Sequence, residues 1–246
     1  MLANVAKSFL TRFPVLHEAV LKVKYHNRPL YSRRVPLTQV DTKARFEEIF
    51  QQNVWGEIDS ASGSGSVPNY TESLKRALPA FVERYDIKSM LDAPCGDFAW
   101  MKDVPFPADF RYVGGDIVSE LAERLNTEFS SKNRRFIQLD VTSEALPDVD
   151  LFFCRDCFIH LSNDQVLKAL QKFSESKVGF ILTTQYNYGR RNVDIETGSF
   201  RQINLRAAPF NLPRPIASIV DYVYPFPPRR LSLWSRENII DALRGR

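Results

Sequence analysis

The chain has 246 residues, of which 44% are hydrophobic and 25% charged, values typical of a globular domain that buries a substantial core. Its three cysteines are too few and too irregularly spaced for a disulfide framework or a four-ligand zinc site. The chain has no apolar run near the roughly 20 residues of a membrane span and no recognisable secretory signal, so we expect a cytoplasmic protein.

The formal net charge of +4 is distributed unevenly along the chain. Residues 1–45 carry nine Lys and Arg against two Asp and Glu, and residues 201–246 carry eight Arg against three acids. The middle of the chain is acidic. The basic ends are suited to an anionic partner such as a phosphorylated substrate, a lipid surface or RNA, although solvated surface charge explains the same pattern.

Residues 1–68 predict a helical cap followed by a lid segment. Three prolines divide the first 45 residues into helical pieces, and Asp41 begins a helix with apolar Phe46 and Ile49 on one face. Trp55 and the small-residue stretch 60–66 follow. This stretch is either a flexible linker or an ordered lid.

From residue 69 onward, strand and helix patterns alternate. Asn69 with Glu72, and Ser162 with Gln165, have the spacing of capping boxes and predict the starts of two helices. Further helices are predicted at 98–102 and 118–125, and strands at 89–92, 111–116, 135–140, 149–154, 178–184 and finally 231–234 at the far side of the sheet. This alternation of apolar strands with helices predicts an α/β fold, a mostly parallel sheet with helices on both faces.

Acidic residues stand at the ends of three consecutive predicted strands. The first strand ends in Asp92 and a turn with Gly96, whose missing side chain lets the backbone approach a ligand. About 20 residues later the second ends in Asp116, where dinucleotide folds place a carboxylate that binds ribose hydroxyls. The third ends in Asp140 and Val141, which suit an adenine ring. Because ligands bind at the carboxyl ends of parallel strands, these residues predict one shared pocket.

Residues 91–98, LDAPCGDF, are similar to the first motif, LDxxCGxG, of the class I S-adenosylmethionine-dependent methyltransferases. The resemblance extends over residues 70–185, with Asp116, Asp140 and the fourth-strand segment DLFFCRDCFIHLS at the later motifs. Asp97-Phe98 stands in place of the second glycine. The resemblance implies a seven-stranded Rossmann-like sheet and a methyltransferase domain at 69–246 with a Pro-rich insertion around 186–228.

The same resemblance implies S-adenosylmethionine as the cofactor. We predict that the cofactor contacts the first turn, the acidic strand ends, the fourth-strand motif and the N-terminal segment, namely Asp92, Ala93, Pro94, Cys95, Gly96, Asp97, Asp116, Ile117, Asp140, Val141, Arg155, Trp55 and Ser64. A dehydrogenase is the natural competitor, but its G-x-G-x-x-G turn is absent. Asp92 and Asp97 would repel a pyrophosphate, whereas they suit a cationic sulfonium compound.

Two residues after the fourth strand are candidates for catalysis. His160 lies where the transferable methyl group is expected, and an imidazole with an ordinary pKa of ~6.5 suits a general base. The alternative is that His160 packs against or caps the following helix. Asp156 is predicted to orient His160, to bind substrate or to hold a divalent metal ion with Asp194, and its alternative is an ion pair with Arg155.

The segment beyond the fifth strand is predicted to face the methyl acceptor. Tyr186 and Tyr188 suit sugar hydroxyls, and Arg190 and Arg191 suit phosphate or carboxylate. Cys-Arg-Asp-Cys replaces the Asn/Asp-Pro-Pro-aromatic motif of amino-methylating DNA enzymes, which disfavours DNA as a partner.

We therefore favour O-methylation of a small or medium-sized hydroxylated acceptor such as a saccharide. A lipid or quinone acceptor at a membrane surface, a non-catalytic cofactor-binding protein and an RNA-binding role remain alternatives. The sequence leaves the oligomeric state open.

Overall fold

A computed structural model describes residues 13–55, 64–66, 68–223 and 226–245. The first twelve residues of the predicted cap and most of the small-residue stretch therefore lie outside the described residues. No helix in the described ranges is long and apolar enough to cross a membrane. The three cysteines are buried and unpaired, as their sequence pattern predicts.

The N-terminal segment contains two helices, α1 (Pro14–Lys24) and α2 (Thr42–Gln51), and a short strand, β1 (Ser32–Arg33). Helix α2 begins where predicted, because the Asp41 side chain accepts a hydrogen bond from the Ala44 backbone N–H at 3.1 Å. Strand β1 pairs in antiparallel fashion with β7 (Phe200–Arg201), which joins the segment to the loop that follows the fifth strand of the main sheet. A 3-10 turn at Ser64–Ser66 follows.

A seven-stranded sheet forms the centre of the molecule, and this confirms the predicted fold class. Its strands are β2 (Ser89–Asp92), β3 (Arg111–Asp116), β4 (Arg134–Gln138), β5 (Leu151–Cys154), β6 (Phe180–Gln185), β8 (Ala217–Asp221) and β9 (Arg229–Ser235). Their spatial order is β4-β3-β2-β5-β6-β9-β8, in which β2 to β6 are parallel and β9 is antiparallel to both neighbours.

The C-terminal part of the sheet corrects one prediction. The last strand in sequence, β9, does not lie at the far side of the sheet but between β6 and β8. The edge strand β8 comes from the Pro-rich tail, where the sequence pattern did not predict a strand. Its exposed Ser218 and Val220 alternate with buried Ile219 and Asp221, the period of two expected for an edge strand.

Helices cover both faces of the sheet: α3 (Pro68–Arg84), α4 (Ser119–Phe129), α5 (Asn163–Glu175) and α6 (Arg236–Arg244). The Ser162 hydroxyl caps α5 as predicted, since it accepts a hydrogen bond from the Gln165 N–H at 3.3 Å, but the predicted capping box is incomplete because the Gln165 side chain bonds Thr42 and Thr197 instead. Helix α3 starts at Pro68, one residue before the predicted Asn69, and α6 was not predicted. Consecutive residues of β5 pack on opposite faces of the sheet, since Phe152 belongs to the core beside α5 and Phe153 to the core beside α3.

The helix predicted at 98–102 does not form. The link from β2 to β3 contains only a 3-10 turn at Met101–Asp103. Phe98 has a φ of 59°, which lies outside the right-handed helical region. The Asp97 carboxylate caps a local turn by accepting from the Ala99 N–H at 3.1 Å, and Pro105 lies soon after the turn.

Candidate active site

A cavity of about 520 Å³ lies at the carboxyl ends of β2 to β5. Its wall brings together these residues predicted for the cofactor and for catalysis: Trp55, Asp92, Ala93, Pro94, Cys95, Gly96, Asp97, Asp116, Ile117, Asp140, Val141, Arg155, Asp156 and His160. The side chain of Ser64 lies outside the described residues, but its neighbours Gly65 and Ser66 line the cavity. One rim of the parallel sheet thus brings together all three acidic strand ends that the sequence analysis singled out, Asp92, Asp116 and Asp140, as topology requires.

Asp92 is the acidic tip of β2 and is almost fully buried. The Tyr112 hydroxyl, from the neighbouring strand β3, donates a hydrogen bond of 2.6 Å to its Oδ2 atom. Burial raises the pKa of Asp92 to about 7, although the bond from Tyr112 and the charge of Arg155 oppose the rise. The carboxyl group is therefore poised to ionise near neutral pH when a cation approaches.

Asp116 connects the end of β3 to the glycine turn. Its Oδ2 accepts from the Gly96 N–H and its Oδ1 from the Val118 N–H, both at 3.1 Å. Burial raises its pKa to about 6, against the effect of these backbone bonds. The bond to Gly96, whose φ is 54°, fixes the position of the glycine turn at the cavity wall.

Asp140 organises the turn after β4. Its Oδ1 accepts from the backbone N–H and the hydroxyl of Thr142, at 2.8 and 2.7 Å, and its Oδ2 accepts from the Ser143 hydroxyl at 2.8 Å. These bonds fix the direction of the carboxylate, which lines the cavity beside Val141.

Phe98 stands at the second glycine of the motif and keeps a glycine-like backbone. Its φ of 59° is unusual for an aromatic residue and is costly for a side chain with a Cβ atom. The ring is buried against Tyr112, Phe129 and Phe136, with centroids 5.0 to 5.5 Å apart, and the Arg134 guanidinium lies 5.2 Å from it. Aromatic packing therefore holds the turn in a conformation that glycine would otherwise supply.

His160 lies in a 3-10 turn after β5 and lines the cavity. Its Nδ1 is 2.8 Å from the Ser199 carbonyl oxygen, so Nδ1 carries the proton and donates, and Nε2 is left as the acceptor. The Trp55 indole stacks on the imidazole at 4.1 Å between centroids. Burial lowers the pKa of His160 to about 4, so the ring is neutral at physiological pH.

Asp156 is held by cations on two sides. Its Oδ1 is 2.7 Å from Nη1 of Arg229, and its Oδ2 is 3.6 Å from Nη1 of Arg155. Burial alone would raise the pKa of Asp156, but Arg229 and Arg155 hold it below its usual value. The ion pair with Arg155, predicted as the alternative role, is therefore present, and a second arginine joins it.

Arg155, Asp221 and Arg229 form a buried network behind this pair. Asp221 Oδ2 is 3.0 Å from Nε of Arg155 and 3.1 Å from Nε of Arg229. Arg155 also donates to the Gly65 carbonyl at 2.8 Å, which fastens the segment around Gly65 to the site. Gly65 has no room for a side chain, because a Cβ atom would lie 2.7 Å from the Asp156 Oδ2.

Several residues of the site could not be identified from the sequence. Asp221 and Arg229 face each other only because β8 pairs with β9, and both lie in the Pro-rich tail. Arg33 and Phe200 reach the cavity because β1 pairs with β7. Arg33 and Phe200 are far apart in the sequence and leave no local pattern, whereas Asp221 and Arg229 were missed because strand β8 was not predicted. The one available signal was Gly65, in a small-residue stretch just before the domain.

The residues predicted to face the acceptor do not line the cavity. Tyr186 and Tyr188 are buried in the core, where Tyr188 stacks on Tyr25 at 5.6 Å. Arg190 and Arg191 are exposed and lie outside the cavity wall. The loop after β6 is drawn under the N-terminal segment, because the Leu30 N–H donates to the Arg191 carbonyl at 3.1 Å.

The predicted metal pair is not assembled either. Asp194 is exposed and accepts from the Asn163 and Ile195 N–H groups at 2.8 and 2.9 Å, at the start of α5. Asp156 faces arginines at the cavity instead. Within the described ranges, no group of three His, Cys, Asp or Glu side chains is placed to hold a metal ion.

No protein-family model and no curated protein matches the chain. Among solved structures it is similar to the 1,6-didemethyltoxoflavin-N1-methyltransferase of Burkholderia thailandensis, crystallised with 1,6-didemethyltoxoflavin and S-adenosylhomocysteine. The TM-score is 0.55 at 14% identity, over 84% of this chain and 94% of that one. It is also similar to the magnesium protoporphyrin IX methyltransferase of Synechocystis with bound S-adenosylmethionine, with a TM-score of 0.53 at 12% identity over 82% and 100% of the two chains.

A third match is the methyltransferase domain of bacterial CtHen1, at 12% identity and a TM-score of 0.41. It spans 47% of this chain and 65% of that one, less than two thirds of its length. By its strand order and its similarity to the first two structures, the chain has the Rossmann-like fold of the S-adenosylmethionine-dependent methyltransferases.

Proposed function

We propose that the chain is an S-adenosylmethionine-dependent methyltransferase that methylates a hydroxyl oxygen of a small or medium-sized acceptor such as a saccharide. The observation that carries the proposal is the convergence of Asp92, Asp116 and Asp140 on one cavity that also contains His160. The ligands bound in the two similar solved structures support the choice of cofactor.

The cavity fits this cofactor in size and charge. A volume of about 520 Å³ is adequate for a compound of this size. The cofactor's amino acid end is cationic, and Asp92 offers a carboxyl group that ionises near neutral pH. Asp116 would hold the ribose, and Asp140 with Val141 would hold the adenine. The turn that is bonded to Asp116 has no side chain at Gly96, so its backbone can lie close to the ligand.

When bound, the cofactor supplies an already activated methyl group, so the protein has mainly to align the acceptor and exclude water. The acceptor hydroxyl must lose its proton, and Nε2 of His160 is the nitrogen available to take it. The Ser199 carbonyl fixes the required tautomer. The negative charge of Asp156 raises the pKa of His160 and so stabilises the imidazolium that forms.

Calorimetry and methyl transfer test the proposal together. Asp116→Ala should abolish most binding of S-adenosylmethionine and S-adenosylhomocysteine, whereas Asp148→Ala, an exposed acid paired with Lys177 far from the cavity wall, should not. His160→Gln should keep cofactor affinity but lower the rate of methyl transfer to a hydroxyl by about 10²–10⁴-fold, the usual contribution of a general base. Unchanged affinity in Asp116→Ala would contradict the cofactor assignment. Cofactor binding without turnover would instead favour a non-catalytic binding protein.

One observation favours a lipid or quinone acceptor as the second candidate. Helix α1 exposes Leu16, Val20 and Val23, at 44%, 48% and 80%, on positions spaced four and three residues apart along one face. Lys22 and Lys24 stand beside them in the last turn. An exposed apolar stripe next to lysines is typical of a helix that lies on an anionic membrane surface.

Vesicle sedimentation distinguishes this candidate. It predicts binding to phosphatidylserine-containing vesicles that weakens as salt is added, and loss of that binding in Val20→Asp. Val40→Asp is the matched control, because Val40 is 88% exposed and lies in a loop away from α1. Equal binding of the two variants would remove the membrane candidate and leave the hydroxylated soluble acceptor.

A further inference from the structure

We propose that the methyl acceptor carries an anionic group, a carboxylate or a phosphate, that Arg33 and Arg229 bind beside His160. This inference rests on the proposed function, because it concerns the acceptor of the same site. It replaces the acceptor role predicted for Arg190 and Arg191, which lie outside the cavity wall.

Arg229 presents a buried guanidinium whose donors are not all engaged by the protein. The residue is 6% exposed, and its Nη2 has no hydrogen-bond partner among the described residues, although Nη1 binds Asp156 and Nε faces Asp221. The Tyr70 ring lies 4.6 Å from the guanidinium. Since a buried charged donor without an acceptor is costly, such a group on a cavity wall is typical of a ligand site.

The other groups around Arg229 keep it cationic. Burial opposes its charge, but Asp156 and Asp221 more than compensate, so the pKa of Arg229 lies well above its usual value. The Tyr186 phenol also lies near, and burial raises the pKa of that phenol to about 12. Tyr186 is therefore neutral and does not cancel the positive charge.

Arg33 supplies a second positive charge at the same end of the cavity. It lies in β1 on the cavity wall, is exposed, and makes no ion pair within the described part of the chain. Its charge contributes to lowering the pKa of His160, which locates it on the imidazole side. The neighbouring Arg34 differs, since it pairs with Glu196 at 3.2 Å and does not line the cavity.

The charges at this end do not balance. Arg155 and Arg229 pair with two carboxylates, Asp156 and Asp221, and Arg33 adds a third positive charge that has no carboxylate partner in the described structure. Asp92, Asp116 and Asp140, which make no ion pair in the described structure, lie at the other end of the wall, at the ends of β2 to β4. Guanidinium groups bind carboxylate and phosphate with matched, charge-assisted hydrogen bonds. The cavity wall thus has an acidic end suited to a cation and a basic end suited to an anion.

The aromatic residues near Arg33 complete the acceptor site. Trp55 stacks on His160, and the Phe200 ring lies 5.9 Å from the same imidazole. These rings suit the apolar face of a sugar or of another cyclic compound. An anion bound between Arg33 and Arg229 would offset the positive charges that lower the pKa of His160. It would therefore make the imidazole a stronger base when the acceptor is in place.

Anion titrations followed by ¹⁵N NMR of the Trp55 indole and the His160 ring test the inference. Potassium phosphate and sodium acetate should each be tried, with neutral acetamide as the isosteric control, in the presence and absence of S-adenosylhomocysteine. We expect saturable shifts with at least one anion and none with acetamide. Arg33→Gln should weaken the binding about tenfold or more, the effect of losing a charge-assisted contact, and Arg34→Gln should not. Saturation by phosphate alone or acetate alone identifies the anion.

Two results would overturn the inference: equal responses in Arg33→Gln and Arg34→Gln, or no saturable shift with either anion. Arg229→Lys provides a second variant that retains the charge but not the fork of donors, and it should also weaken anion binding. Calorimetry with S-adenosylhomocysteine keeps the two proposals separate. Failure of that ligand to bind counts against the methyltransferase, whereas anion insensitivity with normal cofactor binding counts only against the anionic acceptor.

Discussion

The indole of Trp55 stacks on the imidazole of His160, with 4.1 Å between ring centroids and 26° between ring planes. Trp55 follows α2 in the N-terminal segment, and His160 follows β5 of the sheet. The pair therefore joins two parts of the chain that are about a hundred residues apart. Because the indole covers one face of the imidazole, it contributes to the burial that keeps His160 neutral.

Removal of the Trp55 indole should raise the pKa of His160. In Trp55→Ala we expect the value to rise from about 4 towards the ordinary ~6.5, because water reaches the ring and favours its charged form. NMR titration of the imidazole measures the change, with exposed His26 as an internal reference outside the cavity wall. Trp55→Phe retains a ring and should give a smaller rise. An unchanged pKa in Trp55→Ala would show that the indole does not bury the imidazole.

Binding of the cationic cofactor should be linked to a proton on Asp92. A bound cation lowers the pKa of this carboxyl from about 7, so binding releases a proton near neutral pH and the affinity rises from about pH 6 to pH 8. Calorimetry in two buffers of different ionisation enthalpy counts the protons. Tyr112→Phe removes the 2.6 Å bond that favours the carboxylate, so it should move this rise to higher pH. Equal heats in the two buffers would contradict the linkage.

The same group should make the ligand-free protein less stable as pH rises. Folded Asp92 keeps its proton up to about pH 7, whereas the unfolded carboxyl loses it near the ordinary aspartate pKa of 3.8. Unfolding therefore releases a proton in this window, and the Asp92 contribution to the free energy of unfolding falls as pH increases through it. His160, with a pKa of about 4, acts in the opposite direction below ~6.5. Urea unfolding of Asp92→Asn and of the unchanged protein at pH 5 and pH 7.5 isolates the first effect, because the variant should lose the Asp92 part of the downward slope and keep the part from Asp116, whose pKa burial raises to about 6.

The backbone of Phe98 should reverse the usual ranking of alanine and glycine. Both Phe98→Ala and Phe98→Gly lose a buried ring, at a cost of about 3–5 kcal/mol. Glycine, however, adopts the φ of 59° without the ~1–2 kcal/mol penalty that a Cβ atom brings there. We expect Phe98→Gly to be the more stable of the two by about 1 kcal/mol in urea unfolding. A more stable Phe98→Ala would mean that the turn relaxes to an ordinary conformation.

Gly65 should be required for the site and not for the fold. The Cβ of Gly65→Ala would lie 2.7 Å from the Asp156 carboxylate, so the segment must shift and the Arg155 bond to the Gly65 carbonyl must lengthen or break. We expect weaker cofactor binding and slower methyl transfer with a nearly unchanged unfolding midpoint. Gly179→Ala is the matched control, because its Cβ would meet only the Asp150 carbonyl at an ordinary 3.6 Å. Equal activity of the two variants would contradict a fixed contact at Gly65.

The parallel half of the fold follows from local patterns in the sequence. Apolar runs that alternate with helix signals predict β2 to β6, and the ends of parallel strands necessarily meet at one rim. That rim brings Asp92, Asp116 and Asp140 to a common cavity. The domain boundary near residue 68 stays a prediction.

The other features of the fold and the site depend on tertiary contacts that local sequence patterns do not reveal. Strand β8 is short, lies at an edge and has alternating exposure, so its sequence resembles a loop. The helix predicted after Gly96 fails because tertiary packing around Phe98 outweighs local propensity. Tyr186 and Arg190 were assigned to the acceptor from their chemistry, whereas the position of the following loop under the N-terminal segment decides where they lie.

The two-stranded pairing of β1 with β7 has a consequence for how such a protein can diversify. The acidic rim comes entirely from residues 92–140, while Arg33, Trp55, Phe200 and Arg229 arrive from outside that span. Mutations in these outlying residues can therefore change the wall beside His160 while the acidic rim formed by residues 92–140 stays the same. Exchange of β1 and β7 alone would therefore alter the wall beside His160 and leave the acidic rim in place.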